Sequence, residues 1–370
     1  MIKINILTKQ NKYSGLNDFY PIFKWRKEFM KSGIKFSFFY NHLKKKIYDA
    51  DILIIDSRYP EMIVKGHYKI SSKQVFNDDS FIIDFIKRAK IRGLKKVILL
   101  DNADGGSSIS FHITPYVDVH LKKQIYYDKS RYHNHNEYNF MPWLPEGEEI
   151  KEKKNPKIYF TPLRKEDIHK LKLSWNIGMC DYKKFLPFKK YFPFGVNPLF
   201  NYLYQSIDFK EPSISREVLL TYRDSSNKSS SYDYQRNLVK KELNELHIPN
   251  AIVGDKIPFN EYIKEQKNSK ISISPFGYGE ICYRDFESII NGCLLVKPSM
   301  DHLDTYPQFY TDETYVPFSW DGKNLINKIE EINDNYEDYI IMIEKAQSLF
   351  KKSQSDSESF IEHFKANVID

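Results

Sequence analysis

Apolar positions along the chain recur with two periods, near two in short runs and near 3.6 in longer stretches. The run Ile2 to Thr8 predicts a strand, and the spacing from Ile22 to Lys31 predicts a helix that Gly33 closes. Strands are then expected at Ile34 to Tyr40, Ala50 to Asp56 and Lys96 to Leu100, with a helix over Phe81 to Arg92 before the last of them. Val117 to Tyr127 and Ile158 to Phe160 read as further strands. Strands alternating with helices require crossover connections, and so a parallel sheet.

The alternation then lapses. Glu146 to Pro156 is charged and poor in apolar residues, and Tyr182 to Tyr204 holds too many prolines for a long helix or strand. That aromatic and lysine-rich tract suits either irregular packing or the wall of an acceptor groove. Leu171 to Asp181 contains Trp175 and Asn176, read as a buried aromatic anchor or as acceptor contacts. A hinge is expected near Asp208 to Ser215. Beyond it the pattern restarts with a strand at Glu217 to Tyr222, a helix from Tyr234 to Leu246, a strand at Ala251 to Val253 and a helix over Phe259 to Gln266. A last strand at Tyr315 to Phe318 and helices over Leu325 to Phe350 and Glu358 to Asn367 complete the reading.

The densest chemistry lies in Ser269 to Pro298. Here a strand at Lys270 to Ser274 meets a turn with Pro275, Gly277 and Gly279, then a helical segment from near Ile281, then Gly292 and a buried strand at Cys293 to Val296. Free backbone N–H groups at a helix start beside a glycine turn suit a pyrophosphate. Arg284 adds charge there, and Glu287, one turn on, can accept hydrogen bonds from ribose hydroxyls. A tight turn before an ordinary helix would look the same.

The pattern Gly277, Tyr278, Gly279, Glu280, then Tyr283, Arg284 and Glu287, closing on Lys297 and Pro298, resembles the donor-binding segment of bacterial GT-B glycosyltransferases of capsule and O-antigen assembly. The resemblance covers about a tenth of the chain closely. It implies an α/β fold of two Rossmann-like domains facing a central cleft, with a C-terminal helix crossing back. The boundaries expected are 1–210 for the acceptor domain, 211–355 for the donor domain and 356–370 for that helix. Glu287 would hold the ribose, Arg223 and then Lys228 would meet the diphosphate, and Lys297 would reach a phosphate or sugar hydroxyl. Retaining members carry two glutamates with one more residue between them than the six that separate Glu280 from Glu287. The role of Glu280 and the stereochemical outcome therefore stay open. The implied activity is sugar transfer from a nucleotide-diphosphate donor to a saccharide or lipid-linked acceptor in surface polysaccharide synthesis.

In parallel sheets functional loops sit at the carboxyl ends of strands. Asp101 and Asp104 follow one predicted strand, and Asn17 and Asp18 follow another. A carboxylate there can deprotonate an acceptor hydroxyl, so Asp104, Asp101 and Asp18 are the catalytic candidates. The other reading has the aspartates satisfying backbone donors of a glycine-rich turn.

Composition narrows the classes. A hydrophobic fraction of 41% with 15% aromatics excludes a disordered chain. Against 49 acidic residues stand 56 basic ones, too mild an excess to suggest nucleic acid, though compatible with an anionic donor or with peripheral contact at the inner membrane leaflet. Cys180, Cys282 and Cys293 show no paired spacing, which fits a reduced, cytoplasmic protein. His133 and His135 alone do not make a zinc site, and Asp78 and Asp79 precede a helix. No metal or other cofactor is expected; the nucleotide sugar is a substrate. No run approaches the ~20 apolar residues of a membrane span. A sugar-nucleotide epimerase and a non-catalytic polysaccharide-binding protein remain as alternatives.

Overall fold

A computed structural model describes residues 1–8, 18–59, 80–106, 110–133, 161–182, 207–224, 234–245, 249–277 and 279–370. The first half builds β1 (Ile2–Leu7), α1 (Tyr20–Lys24), α2 (Arg26–Lys31), β2 (Ile34–Phe39), β3 (Ile52–Asp56), α3 (Ser80–Ile91), β4 (Lys96–Asp101), β5 (Val119–Lys122), β6 (Gln124–Tyr126) and β7 (Leu171–Leu173). Six of these strands form one parallel sheet in the order β2-β1-β3-β4-β5-β7. Runs such as Ile52 to Asp56 are buried throughout because helices cover both faces of the sheet.

The second half adds β8 (Val218–Asp224), α4 (Tyr234–Glu245), β9 (Ala251–Asp255), α5 (Phe259–Asn268), β10 (Ser269–Ile273), α6 (Tyr283–Ile290), β11 (Leu294–Pro298), β12 (Leu303–Thr305), β13 (Val316–Phe318), α7 (Leu325–Asp334), α8 (Ile340–Ser355) and α9 (Ser357–Phe364). Its sheet is also parallel, in the order β13-β11-β10-β8-β9. Helix α9 crosses back to the first sheet. Asp356 caps it by accepting from the Ser359 N–H at 3.0 Å, and Phe360, Ile361 and Phe364 fill a core with Trp25, Phe29, Phe36 and Trp175. Burying each of these side chains contributes roughly 1.5–3 kcal/mol. The architecture is α/β, two parallel sheets flanked by helices, with the C-terminal helix packed back on the first.

Four expectations change in detail. The helix expected over Ile22 to Lys31 breaks at Trp25, whose ψ of 27° is not helical. The long helix from Leu325 divides at Asn335, where φ reaches −127°. The segment read as a helix from Ile281 starts at Tyr283, with Cys282 extended before it. The strand expected over Val117 to Tyr127 stops at Lys122, and its continuation leaves the first sheet to pair antiparallel with β12. No strand is expected over Leu303–Thr305 from the sequence pattern. Pairing across the two halves makes it a strand, a contact no local pattern encodes.

The β6 and β12 pair lies beside a core shared by both halves, in which Phe111, Tyr126 and Ile177 meet Phe276, Phe286 and Phe309. An apolar seam of this kind fixes the relative placement of the two sheets.

Candidate active site

The strand order of the first sheet reverses between β1 and β3, and that of the second between β8 and β10. At such a point the connections leave toward opposite faces, and a crevice opens at the carboxyl ends of the strands. The two crevices face each other and make one cleft of 640 Å³. Six cationic and four acidic side chains line it.

On the first-sheet wall four charges interlock. Arg58, just past β3, hydrogen-bonds Asp18 and donates to the Asn102 carbonyl at 3.1 Å. Lys123, at the break between β5 and β6, lies 3.5 Å from Asp18 and 3.6 Å from Asp104. Although buried, its ammonium has no hydrogen-bond partner among the described residues. Asp18 is 4% exposed, and the Trp175 indole N–H holds its backbone carbonyl at 2.6 Å. The side chain of Asp104 is 57% exposed and lies 3.9 Å from Arg58. Of the two carboxylates, Asp104 is the one an incoming hydroxyl can reach.

On the second-sheet wall the turn after β10 carries Gly277 and Gly279 to the cleft. Arg236 of α4 lies over Gly277, where any side chain would collide with its guanidinium, and donates Nε–H to the Phe276 carbonyl at 3.1 Å. Among the described residues no carboxylate pairs with its terminal nitrogens, and the side chain lines the cleft, where it can meet an anion. Helix α6 begins beside this turn with a capping box: the Asp285 carboxylate accepts from the Cys282 N–H at 3.0 Å. Tyr283, Arg284 and Glu287 all line the cleft. Burial pushes the Glu287 carboxyl up, against the pull of the Arg284 guanidinium and a hydrogen bond from Tyr262.

Arg284 and Arg223 are differently employed. Arg284 donates to the Ile273 carbonyl at 3.2 Å and to the Arg223 carbonyl at 2.5 Å, which closes the ends of β10 and β8. The Arg223 guanidinium reaches the cleft but is gripped by both oxygens of Glu265, at 2.8 and 2.5 Å. Two of the donors expected for the diphosphate are thus engaged elsewhere on Arg223.

Three residues read as site candidates lie off the cleft. Asp101 is buried at the end of β4 against Lys122, at 3.2 Å, and His120, at 3.3 Å. Lys297 is fully buried, 3.2 Å from Asp285 and over the Phe276 ring, so it cannot meet a phosphate. Glu280 is 1% exposed and turns to the first half, where it accepts from the Gly106 N–H and the Gln124 amide. The reason is common to all three: each has a partner that only the packed chain supplies. Lys228 and Tyr278 lie outside the described residues, as do His135, Asp78 and Asp79. Sequence reading missed Arg58, Lys123 and Arg236. Arg58 had a usable signal, standing two residues past a predicted strand end; Arg236 sits inside a helix and had none. Among the described residues no group of three or more His, Cys, Asp or Glu is arranged to hold a metal, and no helix is long and apolar enough to cross a membrane.

No family profile and no curated protein sequence matches the chain. Solved structures do. An α-glucosyltransferase in complex with UDP is similar at 12% identity over 99% of this chain and 100% of its own, with a TM-score of 0.46. Anabaena HepE in complex with UDP is similar at 9% identity over 100% of both chains, also at 0.46. T4 phage BGT with its UDP-glucose substrate is similar at 13% identity over 99% of both, again at 0.46.

Proposed function

We propose that this chain is a glycosyltransferase that takes its sugar from a nucleoside-diphosphate donor. The observation that carries the reading is the meeting of two opposed sets of groups in one cleft. Arg236, the Gly277 to Gly279 turn, the start of α6 and Glu287 stand on one wall, and Asp104 with its cations on the other. The diphosphate would lie on the glycine turn, with Arg236 and the helix N-terminus offsetting its charge. Glu287 would hold the ribose hydroxyls. Asp104 would accept the proton of the acceptor hydroxyl as its oxygen bonds to the anomeric carbon and the bond from that carbon to the diphosphate breaks. Direct displacement of this kind inverts the anomeric centre.

In this reading the protein cations meet the leaving charge without a metal. The acceptor is a saccharide or lipid-linked glycan, and the setting is cytoplasmic assembly of a surface polysaccharide, in line with the resemblance of the donor segment. A thermal-shift screen against UDP, GDP, CMP and dTDP, with and without EDTA, tests it. A ligand that binds only the native state raises Tm by mass action. One diphosphate is expected to shift Tm equally with and without EDTA. No shift with any of them rejects the reading.

A further inference from the structure

Residues Asp104, Gly105 and Gly106 connect the end of β4 to the cleft, and the backbone of each is held. The Gln124 amide donates to the Asp104 carbonyl at 2.6 Å, and Lys122 donates to the Gly105 carbonyl at 3.4 Å. The Tyr132 hydroxyl donates to the Gly106 carbonyl at 3.1 Å. These three holders belong to the first half. The fourth does not: the Gly106 N–H donates to the Glu280 carboxylate at 3.0 and 3.3 Å, and the same carboxylate accepts from Gln124 at 3.1 Å. Glu280 directly follows Gly279, whose Cα rests against the Asp104 carbonyl with no room for a Cβ. The donor turn and the carboxylate loop are thus joined back to back, in a spot closed to solvent.

We infer that Glu280 is a positioning residue: it ties the glycine turn of the donor wall to the loop that carries Asp104, so that seating of a diphosphate on the turn fixes where Asp104 stands. The inference rests on the function proposed above and deepens it. A rigid tie matters because a misplacement of about 1 Å in the reacting groups can cost on the order of 100-fold in rate. Glu280 itself touches neither donor nor acceptor in this arrangement. Gln124 is its counterpart, since one amide bonds both the Asp104 carbonyl and the Glu280 carboxylate.

The test uses the full chain as wild type, Glu280→Gln, Gln124→Ala and the double variant. Three quantities are read: Kd for UDP or whichever diphosphate shifts Tm, diphosphate release from the matching nucleotide sugar with water as acceptor, and amide hydrogen exchange of the peptide covering 104–106. The expected result is a diphosphate Kd within about threefold of wild type, release slowed by roughly 10- to 100-fold, and faster exchange at 104–106. The double variant should be no worse than the poorer single one, because both act through one junction. Unchanged exchange together with a Kd weakened more than about tenfold would make Glu280 a donor ligand and overturn the inference, as would unchanged release. Should the wild-type chain bind no diphosphate, the functional reading falls by itself; the tie is then judged on exchange alone, and exchange equal to wild type in Glu280→Gln overturns it.

Discussion

The Cα of Gly279 rests against the backbone carbonyl of Asp104, so closely that a methyl group there would overlap the carbonyl. Here the glycine turn of one sheet meets the Asp104 loop of the other, and only glycine permits it. The nearest atoms are backbone, which cannot swing aside.

Gly279→Ala should therefore force the loop and the turn apart. A loss of about 1–3 kcal/mol in stability is expected from overpacking, measured by urea denaturation, together with slower diphosphate release from the nucleotide sugar. Gly277→Ala meets only the end of the Arg236 side chain, which can move. It should cost less stability and show instead in diphosphate affinity.

Arg236 and Arg223 both reach the cleft, but Glu265 occupies the latter. Arg236→Ala should weaken diphosphate binding by roughly 10- to 150-fold, the equivalent of about 1.5–3 kcal/mol for a hydrogen bond to a charged group. Arg223→Ala should change Kd by less than about threefold. Isothermal titration of the two variants with the same diphosphate decides between them, and the reverse order would return Arg223 to the diphosphate.

Lys297 and Asp285 form a fully buried pair, with the Tyr310 hydroxyl donating to Asp285 at 2.7 Å. Lys297→Ala leaves a carboxylate buried without its cation and should cost about 3–5 kcal/mol. The double variant Lys297→Met, Asp285→Asn should recover most of that loss in urea denaturation. A single variant as stable as wild type would show that the pair contributes nothing.

Burial lowers the pKa of His120, His363 and His302, the last to about 3. Folded, these rings stay neutral where the unfolded chain takes up protons. Stability is therefore fully present above pH 6.5 and falls as pH drops from 6.5 toward about 3, by at most ~1.4 kcal/mol per pH unit for each ring. The Tm of wild type should decline between pH 7 and pH 5. His302→Phe, which keeps the ring packing on Tyr126 and Trp320, should flatten part of that slope.

What the sequence determined by itself is local. Strand and helix periods, the Gly292 helix stop with its φ of 68°, and the glycine turn before α6 are visible because neighbouring residues alone impose them. The placement of Asp18 and Asp104 in loops beyond strand ends also follows from alternation, since parallel sheets set their loops at one edge, and Glu287 follows one turn into the helix after the glycine turn. Tertiary structure decided which charges face the cleft. Lys297 looked free after a strand and is sealed against Asp285; Glu280 looked like part of the donor motif and turns to Gly106. Arg236 and Lys123 had no motif at all, yet both stand on the cleft wall. A charged side chain takes its role from partners and burial, and those arise only where segments distant in sequence come together.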